Sequence, residues 1–321
     1  MKRNLLDMAE MSVSPDALAR LRSVADVTSL PASREQLLDR IATFDVLLTA
    51  LKIQIDRDIL EKAVRLRLIV TPTTGLDHVD LTVAAEKGVT VFSLREDRAF
   101  LNEITATAEM AWTLLLATIR NLPSAFESVK AGKLDSGRFR GRQLSGRTLG
   151  VVGYGRLGRM VAEYGRAFRM RDLVCDNKPN DTPDGVEQVP FERLVKNSDV
   201  ISIHIHATPQ NTNLFSAGVF EMMKRGAILI NTSRGEIIDE DAFLAALRTG
   251  RLAGAGLDVI SGERRPNIED HPLIQYAKNH ENLLITPHIG GVTYDSQALV
   301  SERIVDRIVE FLEPINQSAH K

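Results

Sequence analysis

The sequence predicts an α/β protein built from two doubly wound parallel sheets, one smaller than the other. Three observations carry this reading. Short runs rich in Val, Ile and Leu alternate with helical patterns on both sides of the chain's midpoint. The segment LGVVGYGRLGRM, residues 149–160, leads an apolar run into Gly153, Gly155 and Gly158 in GxGxxG spacing, and Asp176 follows Gly158 by 18 residues. Between the two sets of alternations lies LNEITATAEMAWTLLLATIRNL, residues 101–122, too long and too evenly apolar for a surface helix.

In chain order, Ser14 and Pro15 make an N-cap and first-turn pair for the helix SPDALARLRSVAD, and FDVLLTA, RLIVTP and VTVFSL read as buried strands. These form one parallel α/β unit. Residues 101–122 are expected to be a buried connector or interface helix that Pro123 closes. Residues 124–148 start helical and become polar and glycine-rich, so an exposed excursion is expected before the glycine motif. After the motif, RDLVCDN, DVISIHI, GAILINTS, GAGLDVI and NLLIT are strand-like, with helical FERLVKN and DEDAFLAALRTG among them. The amphipathic DSQALVSERIVDRIVEFL forms a last helix that folds back on the first unit. No solenoid-period repeat and no low-complexity tract interrupts this order.

Composition narrows the function. With 321 residues, 44% of them hydrophobic and 26% charged, the chain can bury two ordinary cores. Its 40 Lys and Arg against 42 Asp and Glu give a formal charge of −2, so no basic field points to nucleic acid or an anionic membrane. No apolar stretch approaches the ~20 residues that span a bilayer, and the N-terminus lacks a secretory core, so a cytoplasmic protein is expected. The single cysteine, Cys175, lies inside a strand pattern and is expected to act as a small buried hydrophobe. No metal site is read.

The glycine motif has its own chemistry. Gly153 allows the tight turn out of the strand, Gly155 lets backbone N–H groups approach a pyrophosphate, and Gly158 lets the helix pack against the sheet. Arg156 and Leu157 then begin that helix, whose unsatisfied N–H groups favour an anion. Asp176, at the end of the next strand, accepts from both ribose hydroxyls and repels a 2′-phosphate, so NAD is expected over NADP. Lys178 is near enough to soften that preference.

Reactive groups in such a sheet belong beyond the carboxyl ends of the strands. Arg234 follows AILINTS, Glu263 follows GLDVIS and His288 follows LLITP. An arginine offers a planar fork to a carboxylate, a histidine exchanges a proton near neutral pH, and a carboxylate beside it fixes its tautomer and favours its charged form. Each alone reads as a surface charge or turn residue; their common placement makes them a catalytic set. His78, His204, His206, His271, His280 and His320 lack that combination.

These blocks together resemble the D-isomer-specific 2-hydroxyacid dehydrogenases, over about residues 45–312. The resemblance is carried by TPTTGLDHVDL at 71–81, TATAE at 105–109, LSGRTLGVVGYGRLGR at 144–159, DVISIH at 199–204, NTSRGEIIDEDAFLAAL at 231–247, GAGLDV at 254–259 and TPHIGG at 286–291. It implies Arg234 as carboxylate and carbonyl anchor, Glu263 as partner of the histidine, and His288 as acid/base. It implies a nicotinamide carboxamide near Asp258 and Thr107, further cofactor contacts from His204, Thr208, Thr232 and Gly290, and a substrate carboxylate on backbone N–H groups at Thr74 and Gly75.

The resemblance also implies a flavodoxin-like substrate domain of residues 1–101 and 291–321, a Rossmann NAD-binding domain of residues 102–290, and a homodimer built by the connector. The expected activity is NAD-dependent interconversion of a small 2-oxo acid and a D-2-hydroxy acid. Phosphoglycerate dehydrogenase is the nearest alternative, and an NAD(H)-sensing corepressor-like protein is the alternative of another class. The phosphoglycerate enzymes carry an arginine where this chain has Leu48 or Thr49, although Lys52 can meet an anionic tail. The sequence ends at 321, so the regulatory C-terminal domain of some of those enzymes is not expected. His206 and Arg264 replace customary prolines.

Overall fold

The computed structural model describes residues 2–9, 13–49 and 51–318, with the side chains of 96 and 314–318 set apart. His320 lies outside the described residues. The chain divides into two compact units, residues 1–104 with 292–321 and residues 105–291.

The first unit runs β1 (Arg3–Asp7), α1 (Pro15–Val24), β2 (Ala25–Ser29), α2 (Arg34–Arg40), β3 (Val46–Leu48), α3 (Arg57–Lys62), β4 (Leu68–Thr71), α4 (Leu81–Glu86), β5 (Thr90–Ser93) and α5 (Arg98–Leu101). Its five parallel strands take the order β2-β1-β3-β4-β5, the flavodoxin-type arrangement. Helix α1 starts as expected, with Ser14 accepting the Ala17 N–H at 3.0 Å and Pro15 in the first turn. Two strands are additional to the three expected. β1 is only five residues of mixed polarity, and β2 follows α1 without a loop, so neither shows a bounded apolar run.

The second unit corrects the connector. Residues 101–122 are not one helix: α6 (Ala106–Ile119) stops at Arg120, Asn121 takes a left-handed φ of 50°, and α7 (Leu122–Lys130) starts there. Pro123 opens α7 rather than closing α6, because proline without an N–H fits a helix's first turn. α6 is buried through Ala108, Ala111, Trp112, Leu114 and Leu115, whereas Leu122, Phe126 and Val129 of α7 are exposed.

The chain then enters β6 (Thr148–Val152), α8 (Arg156–Ala167), β7 (Arg171–Cys175), β8 (Val186–Gln188), α9 (Phe191–Asn197), β9 (Val200–Ile203), α10 (Ala217–Met222), β10 (Ala227–Asn231), α11 (Glu240–Arg248), β11 (Leu252–Leu257), α12 (Pro272–Ala277) and β12 (Leu283–Ile285). Seven parallel strands order as β12-β11-β10-β9-β6-β7-β8, with the reversal of strand order between β6 and β9. That reversal opens the crevice where doubly wound sheets bind ligands. Helix α13 (Tyr294–Ser318) belongs to the first unit, where Ile304, Val305, Ile308 and Leu312 join the core lined by Leu21 and Val24, and Arg20 pairs with Glu302 and Asp306. No helix among the described residues is long and apolar enough to cross a membrane.

Candidate active site

The glycine turn sits at the switch point. Gly153 has φ 94°, and a Cβ there would clash with the His204 carbonyl; a Cβ on Gly158 would strike the Gly153 carbonyl. Both glycines therefore let backbone meet backbone. Around Gly155 nothing lies within 4 Å of a built Cβ, which leaves open space at the first turn of α8. Asp176 lies beyond β7, its carboxylate accepting the Tyr154 N–H at 2.8 Å and the Lys178 N–H at 3.1 Å. Arg156 and Leu157 are half-buried, Leu157 against the core beneath α8.

Two buried polar atoms on the same rim, Nδ1 of His204 after β9 and Oγ1 of Thr232 after β10, have no hydrogen-bond partner among the described residues. Buried polar groups are otherwise almost always satisfied, so these atoms fit a bound polar ligand such as a dinucleotide. Burial pushes the His204 imidazole down to about 4, and its Nε2 lies 2.7 Å from Ser202 Oγ. Thr208 lies in the exposed turn that follows His204, where its N–H is held by Asn211 Oδ1 at 2.7 Å.

Arg234 follows β10 in extended conformation, half-buried. Its loop is shaped by Asn231, fully buried, whose Oδ1 accepts the Ser233 N–H at 2.9 Å and whose Nδ2 donates to the Arg234 carbonyl at 2.8 Å. Sequence reasoning missed Asn231, though an Asn after an apolar run is the signal of such a turn. The guanidinium donates to the Ser233 carbonyl at 2.7 Å.

Glu263 and His288 meet: Nδ1 of the imidazole is 2.7 Å from Oε1, with both side chains 28% exposed. Burial alone would raise the Glu263 carboxyl. The hydrogen bond from His288, then the charges of His288, Arg264 and Arg234, outweigh it and hold the carboxyl below its ordinary value. Glu263 is thus ionised and accepts only, so Nδ1 carries a proton and Nε2 is left to exchange one. The charge of Arg234 reaches the same carboxylate, so the three strand-end residues converge.

His288 has a left-handed φ of 55°, held by its N–H bonds at 2.9 Å to the carbonyls of Asp258 and Thr286. Asp258, 2% exposed, organises that loop: Oδ1 accepts Thr286 Oγ1 at 2.6 Å and the Ile289 N–H at 2.9 Å, and Oδ2 accepts the Gly290 N–H at 2.7 Å. Most of its acceptor capacity is therefore spent on the histidine loop, with one lone pair of Oδ2 remaining. A Cβ on Gly290 would crowd Asp258 Oδ2 and touch Thr107 Cγ2 at 3.4 Å, so Asp258, Gly290 and Thr107 are neighbours.

In the first unit taken by itself, Thr74 and Gly75 form a half-buried turn after β4, and among the described residues neither N–H has a partner. The turn is braced by Thr73 Oγ1, which donates to the Gly75 carbonyl at 2.7 Å, and by Thr71 Oγ1 and the buried His78 Nε2 behind it. Lys52 lies in an exposed turn after β3, whereas Leu48 and Thr49 are buried.

Comparison with known proteins agrees with this geometry. Residues 112–290, more than half of the chain, match the family model for the NAD binding domain of D-isomer specific 2-hydroxyacid dehydrogenases. A D-3-phosphoglycerate dehydrogenase of Archaeoglobus fulgidus is 34% identical over 280 residues, 86% of this chain but 51% of that protein. The chain therefore spans about half the length of that curated relative. A glyoxylate reductase of Korarchaeum cryptofilum is 33% identical over 288 residues, 88% of this chain and 83% of that protein. The structure of a D-lactate dehydrogenase from Aquifex aeolicus, complexed with NAD and lactic acid, superposes with a TM-score of 0.82 at 28% identity, covering 97% of this chain and 95% of that one.

Proposed function

The chain belongs to the D-isomer specific 2-hydroxyacid dehydrogenases, and from that membership and its site we propose that it is an NAD(H)-dependent oxidoreductase interconverting a small 2-oxo acid and the D-2-hydroxy acid. The single observation that carries this reading is the 2.7 Å pair of His288 and Glu263 within reach of the charge of Arg234. NADH, when bound, supplies the hydride. Gly153, Gly155 and Gly158 would admit its pyrophosphate, Asp176 its ribose, and His204, Thr232, Thr107, Asp258 and Gly290 the nicotinamide half.

In the reducing direction Arg234 grips the carboxylate and polarises the ketone, and His288 Nε2 gives its proton to the developing alkoxide. Glu263 stabilises the imidazolium before that transfer and keeps the ring oriented through Nδ1. In oxidation the same Nε2 takes the hydroxyl proton. The turn at Thr74 and Gly75 offers two N–H donors of the kind a carboxylate needs, and Lys52 would meet a polar tail. We further read the enzyme as a cytoplasmic homodimer, supported by the exposed Leu122, Phe126 and Val129 on α7.

Relatives named D-3-phosphoglycerate dehydrogenase favour a phosphorylated substrate as the second reading. Against it, buried Leu48 and Thr49 occupy the position where that substrate would call for an arginine. The test is a panel of glyoxylate, pyruvate, hydroxypyruvate, branched 2-oxo acids and phosphohydroxypyruvate, each with NADH and NADPH. The highest kcat/KM is expected for an unphosphorylated acid with NADH. A phosphorylated winner would install the second reading, and NADH binding without turnover on any acid would mark a sensor.

A further inference from the structure

Two residues before Glu263, the peptide of Ser261 is held at both of its polar groups by side chains from different helices. Its N–H donates to Glu240 Oε1 at 2.8 Å, and its carbonyl lies 3.0 Å from His271 Nε2. Glu240 stands in the first turn of α11, and His271 is the N-cap of α12 and 1% exposed.

The direction of these bonds is fixed. His271 Nδ1 accepts the Leu273 N–H at 3.2 Å, so it holds a lone pair and the ring proton is on Nε2, donated to the Ser261 carbonyl. Glu240 Oε2 lies 3.3 Å from the same Nε2. On its other side the peptide bears on the arginine turn, because a Cβ on Gly235 would clash with the Ile260 carbonyl carbon and the Ser261 nitrogen. Only Gly262, at φ 62°, separates Ser261 from Glu263. A glycine hinge transmits little orientation unless the residue before it is fixed.

We propose that Glu240 and His271 are positioning residues, a two-point clamp on the Ser261 peptide that sets where Glu263 meets His288 and where the Arg234 turn rests. The proposal rests on the catalytic reading above for its effect on rate, but its geometric content is independent of it. Neither residue touches the reacting atoms; they act through Glu263 and Gly235. Their helices also supply the rigidity that a loop-borne carboxylate lacks.

His271 has two bonds, and two substitutions separate them. His271→Asn keeps an acceptor for the Leu273 N–H but is too short to reach the Ser261 carbonyl. His271→Gln places an amide nitrogen where Nε2 stands and gives up the cap. Two readouts are followed: kcat for NADH-dependent reduction, with NADH affinity as control, and the Glu263 carboxyl titration by ¹³C NMR. His271→Asn is expected to lower kcat about 10-fold or more with NADH affinity unchanged. It is also expected to move the Glu263 titration upward, because burial is no longer opposed by a well-aimed bond from His288.

His271→Gln is expected to stay near wild type in both readouts while losing thermal stability through the lost cap. Glu240→Ala, which releases the other end of the clamp, is expected to match His271→Asn and stands in for it if that variant does not fold. An unmoved Glu263 titration in His271→Asn or Glu240→Ala overturns the clamp, as do equal losses in His271→Asn and His271→Gln. If the wild type reduces no 2-oxo acid, the proposed reaction fails, while the Glu263 titration still decides the clamp.

Discussion

At the scale of single residues, several features of the nucleotide unit cost stability. His288 is held at a positive φ, worth roughly 1–2 kcal/mol against an L-residue, and its loop accepts that cost because Asp258 binds three of its groups. Asp172 is more unusual: fully buried in β7 against Gly165 of α8, it has no hydrogen-bond partner for either oxygen among the described residues. Burial pushes its carboxyl up to about 7, with the charge of Arg166 pulling the other way.

Unfolded, Asp172 titrates near 3.8, so folding loses stability as pH rises from there to about 7, by on the order of 4 kcal/mol in all. His204 does the opposite. Pushed down to about 4 from 6.5, it makes the folded state lose stability as pH falls from 6.5 through 4, by on the order of 3 kcal/mol. The two effects oppose each other over that window. Urea unfolding of Asp172→Asn at pH 5, 6.5 and 8 is expected to show greater stability than wild type at pH 8 and a decline toward pH 5. A variant whose stability runs parallel to wild type at all three pH values would refute this assignment.

At the scale of elements, what could be read in the sequence was what hydrophobic period and turn chemistry encode. The buried strands carrying the site are continuous apolar runs, and Gly153 and Gly158 are forced by backbone approach while Gly155 leaves open space at the first turn of α8, so motif and strand ends are legible. β1 and β2 were not, since edge and near-edge strands of mixed polarity show neither alternation nor turn boundaries. Residues 101–122 misled because apolar composition continues across Asn121, where a left-handed residue breaks the helix without a glycine. The pairing of Glu263 with His288 is expected from placement; Asn231 acts locally, through Ser233 and Arg234, whereas Glu240 and His271 bear on Ser261, a contact between segments that no local pattern announces.

Helix α7, the product of that break, presents Leu122, Phe126 and Val129 at 57%, 63% and 55% exposure, a ridge a monomer has little reason to keep wet. In a homodimer it would be covered. Replacing Phe126 and Val129 with aspartate is expected to convert a dimer to a monomer in light scattering. An unchanged dimeric mass would place the interface elsewhere.

At the scale of the whole molecule, two parallel sheets of different strand order carry different chemistry, and each puts its polar groups where strands end. The first presents, among the described residues, unpartnered N–H donors at Thr74 and Gly75 after β4. The second gathers a glycine turn at its switch point and Arg234, Glu263 and His288 beyond β10, β11 and β12. Fold alone does not specify a reaction; in the function proposed above, His288, Glu263 and Arg234 do. The most direct measurement is steady-state reduction of the best 2-oxo acid by NADH, with wild type and His288→Ala compared at saturating cofactor and the product's handedness determined. Wild type is expected to yield the D-2-hydroxy acid, and His288→Ala to lose ~10²-fold or more in kcat while binding NADH normally. Full activity in His288→Ala, or an L-product from wild type, would contradict the assignment.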